Sequence, residues 1–159
     1  MIILGIDPGL ARTGFGLIEV KEKSLKAIDY GCIMTGLKTR RPDRLKKIYQ
    51  AIKKIIKKNK PELIVVEELF FAQNAKTAIK VGEARGAIIL ACAETKVQLL
   101  EMTPLQMKIY LTAYGRASKK QIQEMVKLRL KLKEVPKPDD TADALALAIC
   151  GARLIKKKY

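Results

Sequence analysis

The chain has 159 residues, of which 48% are hydrophobic, so it is long enough for one folded domain over residues 1–159 and too apolar for a disordered protein. Lysine and arginine number 32 against 16 acidic residues, which gives a net charge of +16. A charge this positive favours a polyanionic partner, with nucleic acid first; the alternative is a lysine-rich surface that serves solubility or heat resistance.

The use of histidine and cysteine narrows the chemistry further. The chain has no histidine, and its three cysteines, Cys32, Cys92 and Cys150, are far apart and form no C-x-x-C pair. A zinc site is therefore not expected, and we expect reduced, buried thiols. Because a histidine general base is also excluded, any catalysis has to use carboxylates, lysines or metal ions.

No segment has the pattern of a secretion signal or of a membrane span. The first apolar run is short, has no basic residue before it and ends at Asp7, and no later apolar stretch is long enough to cross a bilayer. We therefore expect a cytoplasmic protein that has no membrane partner.

The first half of the chain predicts strands and then a helix. Residues 2–7, 13–20 and 25–34 have the pattern of strands, and their short links predict an antiparallel meander. An amphipathic helix follows within residues 41–62 and is ended by Pro61. We interpret its lysine-rich face mainly as solvated surface, with a contact to nucleic acid as the alternative.

The second half alternates strands with helices. Residues 62–67 form a continuous apolar run, as in a strand buried on both faces, and residues 97–102 are the fifth strand. Helices are predicted over residues 73–94, 103–113, 118–131 and 139–155. This order predicts an α/β fold with a mixed five-stranded central sheet flanked by helices.

Small residues line one side of the helix predicted over residues 73–94. They are Ala75, Ala78, Gly82 and Gly86. Small side chains let another helix approach closely, so this side is interpreted either as a dimer seam or as ordinary packing within the chain.

Two buried-type strands each end in an acid, Asp7 and Glu67. Asp7 precedes Pro-Gly, so turn chemistry alone is one explanation of its position. If the two strands are neighbours in a parallel arrangement, however, both carboxylates point into one crevice at the carboxyl ends of the strands.

The last helix begins with further acids. Asp140 and Asp143 are spaced i, i+3 and share one helical face. Capping of the helix N-terminus is the alternative, and it accounts for one acid but not for Asp143. Brought together with Asp7 and Glu67, these acids would repel one another unless a cation lay between them.

Such a cluster of oxygen ligands predicts a site for a hard divalent cation, Mg²⁺ or Mn²⁺. Two such ions, about 3.5–4 Å apart, activate water and stabilise the leaving oxygen in phosphodiester hydrolysis. An acidic metal cluster in a basic protein therefore predicts a nuclease.

Four blocks of the chain together resemble the RuvC family of bacterial Holliday-junction resolvases. They are GIDPG at 5–9, VEELFFAQNAKTAIKVGEARG at 66–86, QMK and GRASKKQIQEMV within 106–126, and DDTADALALAI at 139–149. The first block alone is weak, because other RNase H-like proteins share it. The four blocks in order are specific, and the resemblance runs over essentially the whole chain with compatible spacing.

The resemblance implies an RNase H-like fold and a homodimer whose two Mg²⁺-dependent sites nick a four-way DNA junction symmetrically. It also implies a branch-migration helicase complex as a further partner. The family's catalytic and metal-binding acids match Asp7, Glu67, Asp140 and Asp143, with the D-x-x-D spacing favouring Asp140 over its neighbour Asp139. Some relatives carry histidine near this site, whereas an all-carboxylate site is expected here.

The resemblance also implies residues that bind DNA. The family's aromatic residue after the Glu67 motif matches Phe70, with Phe71 beside it, and such a ring either stacks on an unpaired base or belongs to the core. Basic family positions match Lys108 and Lys119, and Arg116 and Lys120 flank the second of them. Two other functions remain open: an RNA-processing nuclease of the same fold, and a junction-binding protein without catalysis.

Overall fold

The computed structural model describes residues 1–22, 24–68 and 75–156. Five strands form one sheet in the order β3-β2-β1-β4-β5. The strands are β1 (Ile2–Asp7), β2 (Arg12–Lys21), β3 (Ser24–Met34), β4 (Leu63–Glu67) and β5 (Gln98–Met102). The first three strands pair antiparallel, whereas β4 pairs parallel with both β1 and β5. The predicted meander and the predicted mixed sheet are thus confirmed.

Five helices flank the sheet in the described part of the chain. They are α1 (Arg41–Asn59), α2 (Ala75–Ala93), α3 (Pro104–Thr112), α4 (Lys119–Leu130) and α5 (Asp139–Lys156). None of them is both long enough and apolar enough to cross a membrane. The first residues of the helix predicted over 73–94 lie outside the described residues.

The helix ends follow local sequence signals. Helix α1 stops before Pro61, where Lys60 takes a left-handed conformation and donates its backbone N–H to the carbonyl of Ile56 at 2.8 Å. Helices α3 and α4 each begin with a capping box, and the Ser118 hydroxyl accepts a hydrogen bond from the N–H of Gln121. The second box fixes the position of Lys119, the first residue of α4.

The core lies on both faces of the sheet, because alternate residues of each strand point to opposite sides. Leu4 and Ile6 pack against α1 and α2, whereas Ile3 packs on the face covered by α3, α4 and α5. Strand β4 is buried on both faces, as its continuous apolar run predicts. Leu63 packs on the same side as Ile3, and Ile64 packs on the opposite side with Leu4.

Helix α5 lies directly against β1 and β2 because these strands carry glycine where the helix crosses them. A Cβ on Gly5 would come 2.0 Å from the carbonyl oxygen of Ala144, and one on Gly14 would come 1.9 Å from that of Asp140. Only residues without a side chain permit this approach, which brings the first turn of α5 to the end of β1.

All three cysteines are free, in agreement with the expectation of reduced thiols. Cys92 and Cys150 are buried, but Cys32 on β3 is only partly buried, so the expectation of burial is wrong for this residue. Cys32 of β3 lies opposite Gly14, and β3 is an edge strand of the sheet.

Candidate active site

The ends of β1 and β4 bring Asp7 and Glu67 together. The parallel register pairs Ile6 with Val66, so the two acids occupy the next position of adjacent strands. By the alternation of the strands, both side chains point to the face that α5 covers. Their carboxyl groups lie within hydrogen-bonding reach of each other.

The first turn of α5 adds two more acids to this pair. Burial is the largest cause that raises the pKa of Asp7 well above its usual value. The negative charges of Glu67, Asp143 and Asp140, in decreasing order, raise it further. Asp7, Glu67, Asp140 and Asp143 are therefore close enough to repel one another, and we refer to them as the carboxylate cluster. The structure thus brings together all four acids that the sequence nominated.

Two other members of the carboxylate cluster are also harder to ionise than usual. Burial, followed by the charge of Asp143, raises the pKa of Glu67 to about 7, and the hydrogen bond from Asp7 and the charge of Lys119 oppose this rise. Burial is also the main cause that raises the pKa of Asp143, against the opposing charge of Lys119. Negative charge is thus concentrated in a partly desolvated place, where a cation would be stabilised.

Two basic residues face the carboxylate cluster from different sides. Arg12 Nε lies 3.1 Å from Asp140 Oδ2, and Lys119 Nζ lies 3.7 Å from Asp143 Oδ2. The Arg12 pair lacks hydrogen-bond geometry, and Asp140 Oδ2 is buried without a hydrogen-bond partner. Arg12 was not among the residues nominated from the sequence; the signal is a cation three residues after the Asp-Pro-Gly turn.

Asp139 has a different environment from its neighbour Asp140. It is exposed, pairs with Lys119 Nζ at 3.1 Å and accepts a hydrogen bond from Gln123. The hydrogen bond and charge of Lys119 lower the pKa of Asp139, whereas the pKa values of Asp7, Glu67 and Asp143 in the carboxylate cluster are raised. The geometry therefore favours Asp140 over Asp139 as a site residue, in agreement with the spacing argument.

Arg85 on α2 holds the end of β4 in place. Its Nε donates a hydrogen bond to the carbonyl oxygen of Glu67 at 3.2 Å, and its guanidinium pairs with Glu101 on β5. The side chain is mostly buried. Sequence reasoning missed this residue, because nothing in the local pattern of α2 shows that an arginine reaches across to two strand ends.

The donor set fits a hard divalent cation. It consists of carboxylate oxygens only, and repulsion between these groups adds to the raised pKa of Asp7. One buried oxygen of the set, Asp140 Oδ2, lacks a hydrogen-bond partner. Across residues 1–22, 24–68 and 75–156, no three Asp, Glu or Cys side chains converge on a single point as placed. Coordination of one ion by three of them would therefore require rotation of side chains at the carboxylate cluster.

The residues nominated for DNA binding are distributed differently. Phe70 and Phe71 lie outside the described residues. Lys119 reaches the carboxylate cluster, whereas Arg116 and Lys120 are exposed beside it and Lys108 is half-buried on α3. Within the described part of the chain, no ion pair joins Lys108, Arg116 or Lys120 to the four acids.

Known sequences assign the chain to a family. A family model described as crossover junction endodeoxyribonuclease RuvC matches residues 3–151. This chain belongs to the RuvC family. The RuvC of Desulfitobacterium hafniense is 52% identical over 155 residues, which cover 98% of this chain and 94% of the relative. The RuvC of Caldicellulosiruptor saccharolyticus is 53% identical over 151 residues, which cover 94% of this chain and 91% of the relative.

Solved structures of RuvC agree with this assignment. Thermus thermophilus RuvC superposes with a TM-score of 0.92 at 32% identity, covering 99% of this chain and 97% of the other. The T. thermophilus RuvC in complex with Holliday junction substrate superposes with a TM-score of 0.94 at 33% identity, covering 99% of this chain and 96% of the other. The yeast mitochondrial Holliday junction resolvase Ydc2 shares the fold, with a TM-score of 0.67 at 16% identity. That match covers 95% of this chain and 78% of the other. The expected RNase H-like fold is confirmed.

Proposed function

We propose that this protein resolves four-way DNA junctions by divalent-metal-dependent hydrolysis of phosphodiester bonds in homologous recombination and DNA repair. The carboxylate cluster at the ends of β1 and β4, in a chain of net charge +16, is the observation that carries this proposal. Membership of a family named for crossover junction endodeoxyribonucleases supports the reaction, with residues 1–159 acting as one nuclease domain.

A bound relative supports the four-way junction as substrate. The T. thermophilus RuvC that superposes with a TM-score of 0.94 is in complex with a Holliday junction. That match covers 99% of this chain at 33% identity, which supports a surface of similar shape for such a DNA here. An RNA substrate has no comparable support.

Asp7, Glu67, Asp140 and Asp143 would hold the metal, which we propose to be two Mg²⁺ ions, replaceable by Mn²⁺. Bound there, the ions would supply a more acidic water and stabilise negative charge on the phosphate and the leaving oxygen. The chain itself supplies rigidity: Asp7 and Glu67 stand at the ends of adjacent buried strands, and Arg85 fixes the carbonyl of Glu67. Rigid placement matters because ligand positions must hold to within a fraction of an ångström.

Basic side chains of α3, of α4 and of the loop between them would bind and orient the DNA. Lys119 faces both Asp143 and Glu67, so it can neutralise phosphate charge beside the carboxylate cluster. Lys108, Arg116 and Lys120 are proposed to bind further phosphates of the junction. Phe70 and Phe71, three and four residues after Glu67 in the sequence, are proposed to stack on bases at the junction centre.

A homodimer would place two such sites on one junction. Helix α2 packs Ala84, Ile88 and Ala91 against α1, while its other side leaves Ile79 and Leu90 exposed. Gly86 is exposed, and a Cβ on it would meet nothing within 4 Å; Gly82, one turn earlier, is partly exposed. Of the two interpretations of the small residues, this placement favours the dimer seam. A helicase partner and a cytoplasmic location remain predictions.

A cleavage assay on a synthetic four-way DNA junction tests the proposal. The protein is incubated with Mg²⁺ or with EDTA, beside a linear duplex and a structured RNA of equal length. We expect paired nicks in the junction with Mg²⁺ only, and intact duplex and RNA. Junction binding without cleavage would instead indicate an architectural protein, and cleavage of RNA alone would indicate an RNA-processing nuclease.

A further inference from the structure

A groove opens beside the carboxylate cluster on the side away from α4. It has a volume of about 470 Å³ and is lined by the turn after β1, the start of α1 and the first half of α2. Its polar lining consists of Arg12, Arg44, Lys80 and Asp140. Since Asp140 belongs to the carboxylate cluster as well, the groove and the cluster are continuous, and we call this space the Arg12 groove.

The cations of the Arg12 groove are separate from those already considered for DNA binding. Arg44 and Lys80 come from α1 and α2, which cover one face of the sheet. Lys119 comes from α4, which covers the other face. The carboxylate cluster therefore lies between two basic flanks that are built from different layers of the fold.

Two of these cations have no carboxylate to neutralise them. Arg44 donates from Nε to the hydroxyl of Thr35 at 2.8 Å, which orients the guanidinium and leaves its other N–H groups available. Neither Arg44 nor Lys80 pairs with an acid among the described residues, and Glu83, one turn after Lys80, pairs with Arg41 at 3.5 Å. Two uncompensated cations beside a nuclease site attract an anion.

The lining also fits the rest of a nucleotide. Leu37 is 85% exposed at the edge of the groove, and Val81 and Pro8 add apolar surface. Sugar and base edges supply apolar contact area next to each phosphate, so a mixed lining of cations and aliphatic side chains suits a DNA strand better than a free inorganic anion.

We propose that the Arg12 groove binds phosphates of the DNA strand that lies across the carboxylate cluster, through Arg44 and Lys80. This inference rests on the proposed function, because it extends the path of the substrate beyond the α3 and α4 flank. Arg12 stands where the groove meets Asp140, so its substitution would alter the carboxylate cluster as well and is not used as a test.

The test is the salt dependence of junction binding, measured by fluorescence anisotropy in EDTA so that no cleavage occurs. Each phosphate contact contributes about 0.9 to the slope of log K against log salt concentration. We expect Lys80→Gln to lower that slope by about 0.9 and to weaken binding by up to about tenfold at 0.1 M salt. Arg44→Gln should act alike, and Arg44→Lys should restore most of the slope because it keeps the charge.

Lys54→Gln is the matched control. Lys54 is an exposed lysine of α1, about 15 Å along the helix from Arg44 at 1.5 Å per residue, so its loss changes net charge equally. Lys80 is exposed on a helix, so its substitution should leave the fold intact even if Arg44→Gln does not.

The outcomes separate this inference from the proposed function. If the wild-type protein binds and cuts the junction while Lys80→Gln and Arg44→Gln keep the slope of Lys54→Gln, the Arg12 groove does not bind DNA and the proposed function stands. If the wild-type protein neither binds nor cuts the junction, both are wrong. A slope lowered only in the groove variants supports the inference.

Discussion

At the scale of single residues, the site concentrates negative charge in a protein that is otherwise strongly positive. Asp7 and Glu67 lie within hydrogen-bonding reach of each other, while Asp140 faces Arg12 and Asp143 faces Lys119. Burial makes this arrangement unfavourable for the ionised forms. A cluster that costs stability in this way is expected to be retained because it binds something positively charged.

Asp7→Asn tests the role of the most perturbed carboxyl group. We expect junction cleavage to fall by about 100-fold or more, since even indirect supports of a metal site cost about 10–100-fold when removed. Junction binding should persist or strengthen, because a negative charge near phosphate is lost. Asp139→Asn, a change of the same kind at an exposed neighbour, should retain cleavage. Wild-type cleavage rates in Asp7→Asn would contradict the metal-site assignment.

The raised pKa of Glu67 predicts how stability varies with pH. Its usual value is 4.5 and its folded value is about 7, so between these pH values the folded state binds more protons than the unfolded state. The free energy of unfolding in EDTA should therefore decrease as pH rises from 5 to 8, by up to about 3 kcal/mol from this group. Mg²⁺ should raise stability more at pH 8 than at pH 5, because it binds the deprotonated carboxylates.

Denaturant unfolding at both pH values, with Mg²⁺ or with EDTA, provides the measurement for this prediction. Glu67→Gln is the control, because it removes this titrating group while keeping its shape; it should reduce the dependence on pH, and Asp7 and Asp143 account for what is left. An equal effect of Mg²⁺ at pH 5 and pH 8 would show that the ion does not compete with protons at the carboxylate cluster.

At the scale of elements, the position of α5 decides whether the acids meet. Its first turn lies against β2 because Gly14 has no Cβ, and this contact involves the backbone of Asp140 itself. Helix α2 likewise contributes both to the core and to the site. One of its sides packs on α1, and its Arg85 contacts the ends of β4 and β5. Both helices therefore hold the site as well as the core.

Gly14→Ala should displace α5 and so affect both stability and cleavage. The added Cβ would lie 1.9 Å from the backbone oxygen of Asp140, which cannot move without shifting the helix. We expect a loss of about 1–3 kcal/mol in the free energy of unfolding, together with slower junction cleavage. Gly36→Ala, whose Cβ would come 3.2 Å from the hydroxyl of Thr39, should change stability by less than about 0.5 kcal/mol. Equal stabilities of the two variants would contradict this packing argument.

At the scale of the whole molecule, the fold places the acidic site between basic flanks and leaves an apolar side of α2 exposed. Leu90 is 58% exposed and Ile79 is 61% exposed on α2. A second copy of the chain is the proposed occupant of this side, because symmetric cleavage of a junction needs two sites in a fixed relation.

Leu90→Asp should weaken the proposed homodimer. A buried, unpaired charge at the centre of an interface is strongly unfavourable, so we expect the variant to sediment as a monomer at concentrations where the wild type is a dimer. Leu128→Asp is the control: Leu128 is 71% exposed on α4, and its substitution should leave the assembly unchanged. Identical sedimentation of both variants and the wild type would place the dimer seam elsewhere or exclude it.

Local patterns in the sequence were sufficient for the strands, the helices and the four acids. The continuous apolar run before Glu67 predicts a doubly buried strand, and the i, i+3 spacing of Asp140 and Asp143 places them on one helical face. These are properties of neighbouring residues, whose periodicity is legible without contacts between distant parts of the chain. The four motif blocks likewise assigned the family.

Only the tertiary structure decided which distant residues meet. The pairing of β1 with β4 places Asp7 beside Glu67, and the glycines of β1 and β2 set the distance to α5. Contacts between residues far apart in the sequence also give four basic side chains their proposed roles, namely those of Arg12, Arg44, Lys80 and Arg85. Long basic side chains look alike in sequence, because most of them are solvated, and only packing determines which of them reach the site.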